Sequence, residues 1–154
     1  MKRFAIAAGI AMNLLWVAAV HADHAAHDEA TQVRAAVSGL YRVLATGDAT
    51  GLAAYLPKEG FSEFSPPEST LKTLDLEYFR RAFAAGARVD LHVEQEQVRV
   101  QGGSAIVTGY RLGTITLPQG QHLDVLDCMT MVWSRENRAW MLRHVHISAC
   151  AAPG

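Results

Sequence analysis

The chain reads as an α+β domain, with helices from its first half packed on one face of a curved antiparallel sheet made by its second half. Three observations predict this. Up to about residue 86 apolar side chains recur every three or four positions. From Arg88 they recur every second position. Glycine, proline and asparagine turns divide that second stretch into four strands in sequence.

The first 22 residues stand apart from this domain. Lys2 and Arg3 form a short positive start, and Phe4 to Val20 is apolar except for Asn13. Val20-His21-Ala22 offers a cleavage pattern, and Asp23 opens a polar stretch. The apolar run is slightly short for a membrane span, which needs about 20 residues. The expectation is a cleavable secretory leader over residues 1–22, one domain over 23–154, and a periplasmic or secreted location, with no membrane span after cleavage.

The elements follow in order. From about Asp28, Val33, Val37, Leu40, Tyr41 and Leu44 make one apolar stripe, a first helix that Gly47 ends. Asp48 can cap a short second helix over Thr50 to Leu56, which Pro57 stops. Lys58 to Ser69 is a loop or short strand pair, anchored by Phe61 and Phe64 and broken by Pro66-Pro67. Asp75 caps a third helix, Glu77 suits the positive end of its dipole, and Leu76, Phe79, Ala82 and Phe83 form its stripe up to Gly86. Four strands come next: Arg88 to Gln101, Ala105 to Leu117, Leu123 to Trp133 and Ala139 to Ser148. The first slips its alternation between Glu94 and Gln97, which marks a bulge. Gly102-Gly103 is a hairpin turn.

Composition excludes several function classes. Fourteen basic side chains face 15 acidic ones over 154 residues, and two of the basic ones lie in the leader. No basic stripe is available to neutralise phosphates, so nucleic acid is not an expected partner. There is no glycine-rich phosphate loop, nucleophile elbow or Cys-x-x-Cys pair, and no cofactor is expected. An exported compartment permits a disulfide between Cys128 and Cys150. A last hairpin closing around Glu136-Asn137 would set Trp133 near Trp140 and Cys128 near Val145. At about 3.3 Å per residue the thiols then stand too far apart, unless the C-terminal tail curls back.

The last strand pair carries a pattern. Thr130, Val132 and Trp133, a charged turn, then Trp140, Leu142, His144, His146 and Ser148 resemble the C-terminal signature of the SnoaL-like branch of the nuclear transport factor 2-like superfamily. The pattern is particularly similar to the association domain of calcium/calmodulin-dependent protein kinase II. The resemblance covers about residues 28–150. It departs at the turn, where Glu136-Asn137-Arg138 replaces Asp-Gly, and at the tail, where Ala149-Cys150-Ala151-Ala152-Pro153 replaces Gly-Ala-Pro. It implies a cone-shaped, cystatin-like roll, in which a bent sheet wraps the first helix and leaves a pocket at the open end. It also implies a homodimer through the outer sheet face. Members of the superfamily include isomerases, cyclases, hydrolases and dehydratases, and others that only bind or assemble, so fold alone does not choose.

Candidate site residues follow from strand parity. His144 and His146, two apart on one strand, share a face with each other and with Trp140, Leu142 and Ser148. On the concave side they could serve as general bases or hold a ligand carbonyl; otherwise they are hydrogen-bonded core residues pinning the sheet edge. Asp124, on the face of Leu126, Cys128, Thr130 and Val132, is the carboxylate candidate for a raised pKa, or a solvated residue near a strand start. Asp127 points to the other face. Tyr41, Tyr55, Tyr110 and Thr130 complete the expected ligand pocket with His144 and His146. His92 and Asp124 could add ligands to the histidine pair, and His24 and His27 could bind copper or zinc, but nothing in the spacing demands a metal and none is expected. The function expected is binding of a small apolar ligand by an exported dimer. An isomerase or dehydratase using His144, His146 or Asp124, and a purely structural assembly domain, are the alternatives.

Overall fold

A computed structural model describes residues 8–67 and 70–150, with side chains from His27 onward. Met1–Ala7 lie outside the described residues, and the side chains of the expected leader and of His24 lie outside them too. Helix α1 spans Ala8–Thr46, so its backbone begins well before Asp28. Its stripe is the expected one: Val33, Val37, Leu40, Tyr41 and Leu44 are all buried. The second expected helix is only a 3-10 turn over Gly51–Ala54. Asp48 Oδ1 does cap it, accepting from Thr50 N at 3.0 Å and Gly51 N at 2.9 Å. Its four residues, Gly51–Ala54, are followed by Tyr55, whose N–H donates to Leu52 O at 2.9 Å, the three-residue spacing that closes a 3-10 turn.

Strand β1, Phe61–Phe64, falls within the loop or strand pair expected over Lys58 to Ser69, but its antiparallel partner β2, Lys72–Leu74, lies beyond that stretch. Helix α2, Leu76–Ala84, starts where Asp75 Oδ1 accepts from Tyr78 N at 2.8 Å and turns out at Gly86 with φ 94°. Strands β3, Arg88–Gln101, β4, Ser104–Thr116, β5, His122–Glu136, and β6, Ala139–Ala149, follow. The sheet has six strands in the order β2-β1-β6-β5-β4-β3. It is mixed rather than wholly antiparallel, because β1 runs parallel to β6. The bulge between Glu94 and Gln97 is present, with Gln95 at φ 50°. At Gly113, φ is 137° and a Cβ would stand 2.2 Å from Asp90 O; only glycine lets β4 press this closely on β3 and bend.

The last hairpin is tighter than the sequence led us to expect. Glu136 faces Ala139 across a two-residue turn, with Asn137 at φ 46° and Arg138 at φ 71°. Cys128 therefore stands opposite Ser148 and diagonal to Cys150, with Cα atoms 5.2 Å apart, and the two cysteines form a disulfide. Such a crosslink, 22 residues apart in sequence, stabilises by about 3 kcal/mol, chiefly through the unfolded chain.

A second irregularity lies on β6. Val132 faces His144 while Trp133 faces Leu142, so Arg143 is an extra, unpaired residue. It is held there by Ser134 Oγ at 2.7 Å from its Nε and by Glu59 Oε1 at 2.7 Å from its Nη1. The bulge reverses the alternation of everything after it. Trp140 and Leu142 face the core before it, and Val145 and Ile147 face the core after it. The core itself lies between α1, α2 and the concave sheet face, with Trp133 fully buried at its centre.

Candidate functional site

The concave face and the two helices enclose a cavity of about 380 Å³. That is within the size range of small-molecule sites. Leu40 and Leu44 from α1, Phe79 and Phe83 from α2, and Met131 and Val145 from the sheet supply much of its apolar wall. Polar groups gather at one end: Tyr41 from α1, Glu63 from β1, Arg111 from β4 and Asp127 from β5.

Strand parity explains each. Arg111 and Asp127 are direct cross-strand partners on the core-facing side, and Arg111 Nη2 donates to Asp127 Oδ2 at 2.5 Å. Their side chains are 12% and 24% exposed, so the pair is largely removed from water. Tyr41 lies against them, and its hydroxyl donates to Met129 Sδ at 3.3 Å. Burial pushes the Tyr41 phenol up to about 12, with the Arg111 guanidinium pulling the other way. It is thus a neutral donor at any physiological pH, and a thioether is a weak acceptor that a ligand oxygen can displace.

The sign of the accompanying pH effect is fixed. The folded chain keeps the Tyr41 proton where the unfolded chain has released it, so stability is complete below pH 10.0 and falls as pH climbs to about 12. The expected loss is about 2–3 kcal/mol, at about 1.4 kcal/mol per pH unit. Urea melts across that window should show it, and Tyr41→Phe should abolish it.

Of the site residues expected from sequence, Tyr41 alone lines this cavity. His144 and His146 follow the Arg143 bulge and therefore point to the outer sheet face, away from Trp140 and Leu142. There His144 Nδ1 shares a hydrogen bond with Ser62 Oγ at 2.8 Å, and Phe64 packs 5.9 Å from His144 and 6.0 Å from His146. Asp124 is exposed on the same outer face, opposite Thr114. Tyr110, Thr130 and His146 do share a hollow of about 270 Å³, but on that outer face, beside Cys128. Tyr55 packs against α1, where a Cβ on Gly39 would meet its hydroxyl at 2.1 Å. His92 pairs with Glu94 at 3.3 Å. Among the described residues no three histidine, cysteine, aspartate or glutamate side chains gather around a metal position.

Glu63, Arg111 and Asp127 were missed. The signal for the last two was present: Asp127 alternates with Met129, Met131 and Trp133, and Arg111 with Ala105 and Val107. A charge at an apolar parity is a buried charge, and buried charges are paired or functional.

The model of the SnoaL-like domain family matches residues 33–153. None of the curated proteins matches the chain. Among solved structures the chain is similar to a CaMKII hub from S. rosetta, at 22% identity and a TM-score of 0.64 over 79% of this chain and 96% of that one. It is similar to a candidate dehydratase of the NTF2-like family from Streptomyces avermitilis, at 21% identity and a TM-score of 0.65 over 82% and 99%. It is also similar to an uncharacterised protein with a cystatin-like fold from Caulobacter vibrioides, at 14% identity and a TM-score of 0.61 over 80% and 92%. At these identities the likeness is one of fold.

Proposed function

We propose that this chain, which belongs to the SnoaL-like domain family, binds a small and mostly apolar molecule in its concave cavity, as an exported homodimer. The cavity carries the reading: about 380 Å³, walled by aliphatic and aromatic side chains, with a few convergent polar groups at one end. Export is supported by the leader pattern of residues 1–22 and by the Cys128–Cys150 disulfide, a bond at home in oxidising compartments. Dimerisation is supported by the uncovered outer sheet face, where Ile106 and Leu126 are 49% and 44% exposed, and by the likeness to a hub.

Native mass spectrometry of the exported protein should give twice the mass of a chain starting at Asp23. Thermal shift with a broad library of small apolar molecules should find stabilising ligands, with about 2.7 kcal/mol at a hundredfold excess over Kd. Ala82→Phe, which fills the cavity from α2, should remove the response. Silence across the library would leave the domain a structural one.

A second reading is favoured by one observation. A protonated tyrosine and two carboxylates, Tyr41, Glu63 and Asp127, converge on the cavity. They could polarise a ligand carbonyl and take a proton beside it, in the manner of an isomerase or dehydratase. In that case the general base is Glu63 or Asp127, and His144, His146 and Asp124 take no part. Ligand turnover that Glu63→Gln and Asp127→Asn leave intact would end this reading.

A further inference from the structure

The charges around the cavity are not all matched. Arg111 is matched by Asp127. Arg88 is matched by backbone: its Nη1 donates to Phe83 O at 3.1 Å and to Ala87 O at 2.6 Å, and its guanidinium lies 5.9 Å from the Phe83 ring centre. The carbonyl of Phe83 belongs to the C-terminal end of α2, where the helix dipole is negative. Glu63 differs. It lines the cavity from β1, and among the described residues its carboxylate makes no hydrogen bond or ion pair. Its cross-strand neighbour on β2, Lys72, is itself partnered.

The wall beside Glu63 is aromatic. Phe61, two residues earlier on the same strand face, stacks on Phe79 with ring centres 6.2 Å apart, and Tyr78 meets Phe79 edge-on at 5.3 Å. All three rings line the cavity. Ring faces attract cations, and a carboxylate beside them adds a charge-assisted hydrogen bond. A negatively charged ligand, in contrast, would find both cavity guanidinium groups already hydrogen-bonded and the Glu63 carboxylate facing it.

We infer that the ligand of this cavity is a cation: a protonated amine on an apolar body of one or two rings, with its ammonium group on Glu63 and its rings against Phe61, Phe79 and Tyr78. This deepens the ligand-binding reading and rests on it. Dispersion and burial hold the body, while Glu63 selects the charge.

Three naphthyl probes of matched size test it by calorimetric titration of the disulfide-bonded chain: naphthylethylamine, naphthylethanol and naphthylacetate. The amine should bind about tenfold or more tightly than the alcohol, and the acetate most weakly. Glu63→Gln should bring the amine down to about the alcohol's affinity, and Ala82→Phe should remove binding of both. An amine no tighter than the alcohol, or an acetate that binds best, overturns the inference and leaves the cavity reading standing. The same holds if Glu63→Gln keeps the amine's full preference. Absence of binding by all three probes overturns the inference, and silence of the broad library then overturns the cavity reading as well. The comparison on the unsubstituted chain decides the matter even if a variant fails to fold.

Discussion

Replacing Asp127 with alanine should destabilise the domain by about 4 kcal/mol, because it strands the Arg111 guanidinium in the core-facing wall without a counter-charge. Arg111 is only 12% exposed, and its Nε already lacks a partner, so water cannot readily take over what Asp127 supplied. Removing both charges is a different matter. Arg111→Met with Asp127→Leu replaces the pair by apolar side chains of similar size, and most of the lost stability should return. Urea unfolding of the parent, the single variant and the double variant reads this directly as shifts in midpoint at constant slope. A single variant within about 1 kcal/mol of the parent would show that the pair is well solvated. The Arg111–Asp127 end of the cavity would then be open to water.

Trp133→Ala should be comparably severe, at about 4 kcal/mol. Trp133 is 0% exposed and lies opposite Leu142 on β6 and Ala105 on β4, both buried members of the same core. Cutting a buried indole to a methyl removes its burial and leaves a void that the rigid sheet cannot close. Trp133→Phe separates size from hydrogen bonding. The indole Nε1 is buried with no partner among the described residues, so losing its N–H removes an unsatisfied donor. Phenylalanine should therefore recover more than half of the alanine loss, again by urea midpoint. If alanine costs under about 1 kcal/mol, Trp133 is not the centre of the core.

Both expectations depend on which way strand residues face, and parity was the part of this molecule that sequence reading handled least evenly. Within β5 it worked: Met129, Met131 and Trp133 are buried while Asp124 and Leu126 are exposed, as alternation requires. On β6 it failed halfway along. Alternation from Trp140 and Leu142 carries His144 and His146 to the core, and the Arg143 bulge sends them outward instead. Arg143 offers no local signature of a bulge; it is held out by Ser134 and Glu59, and the latter is 84 residues away. The disulfide was misjudged for a related reason. A turn placed one residue from its true position shifts every partner by two, the Arg143 bulge adds a third, and Cys128 faces Ser148 instead of Val145.

The sequence alone determined what local chemistry can encode: the apolar stripe of α1, the Asp75 cap of α2, the bulge at Glu94–Gln97, four long strands in meander order, and the SnoaL-like signature of the last pair. Those features depend on neighbours within a few residues, where period and capping act. Only the tertiary structure decided the parallel docking of β1 on β6, the outward turn of the histidines, the closure of Cys128 on Cys150, and the meeting of Tyr41, Glu63, Arg111 and Asp127 around one cavity. Those depend on register between distant segments, and a one-residue step in register moves a side chain from the core to solvent.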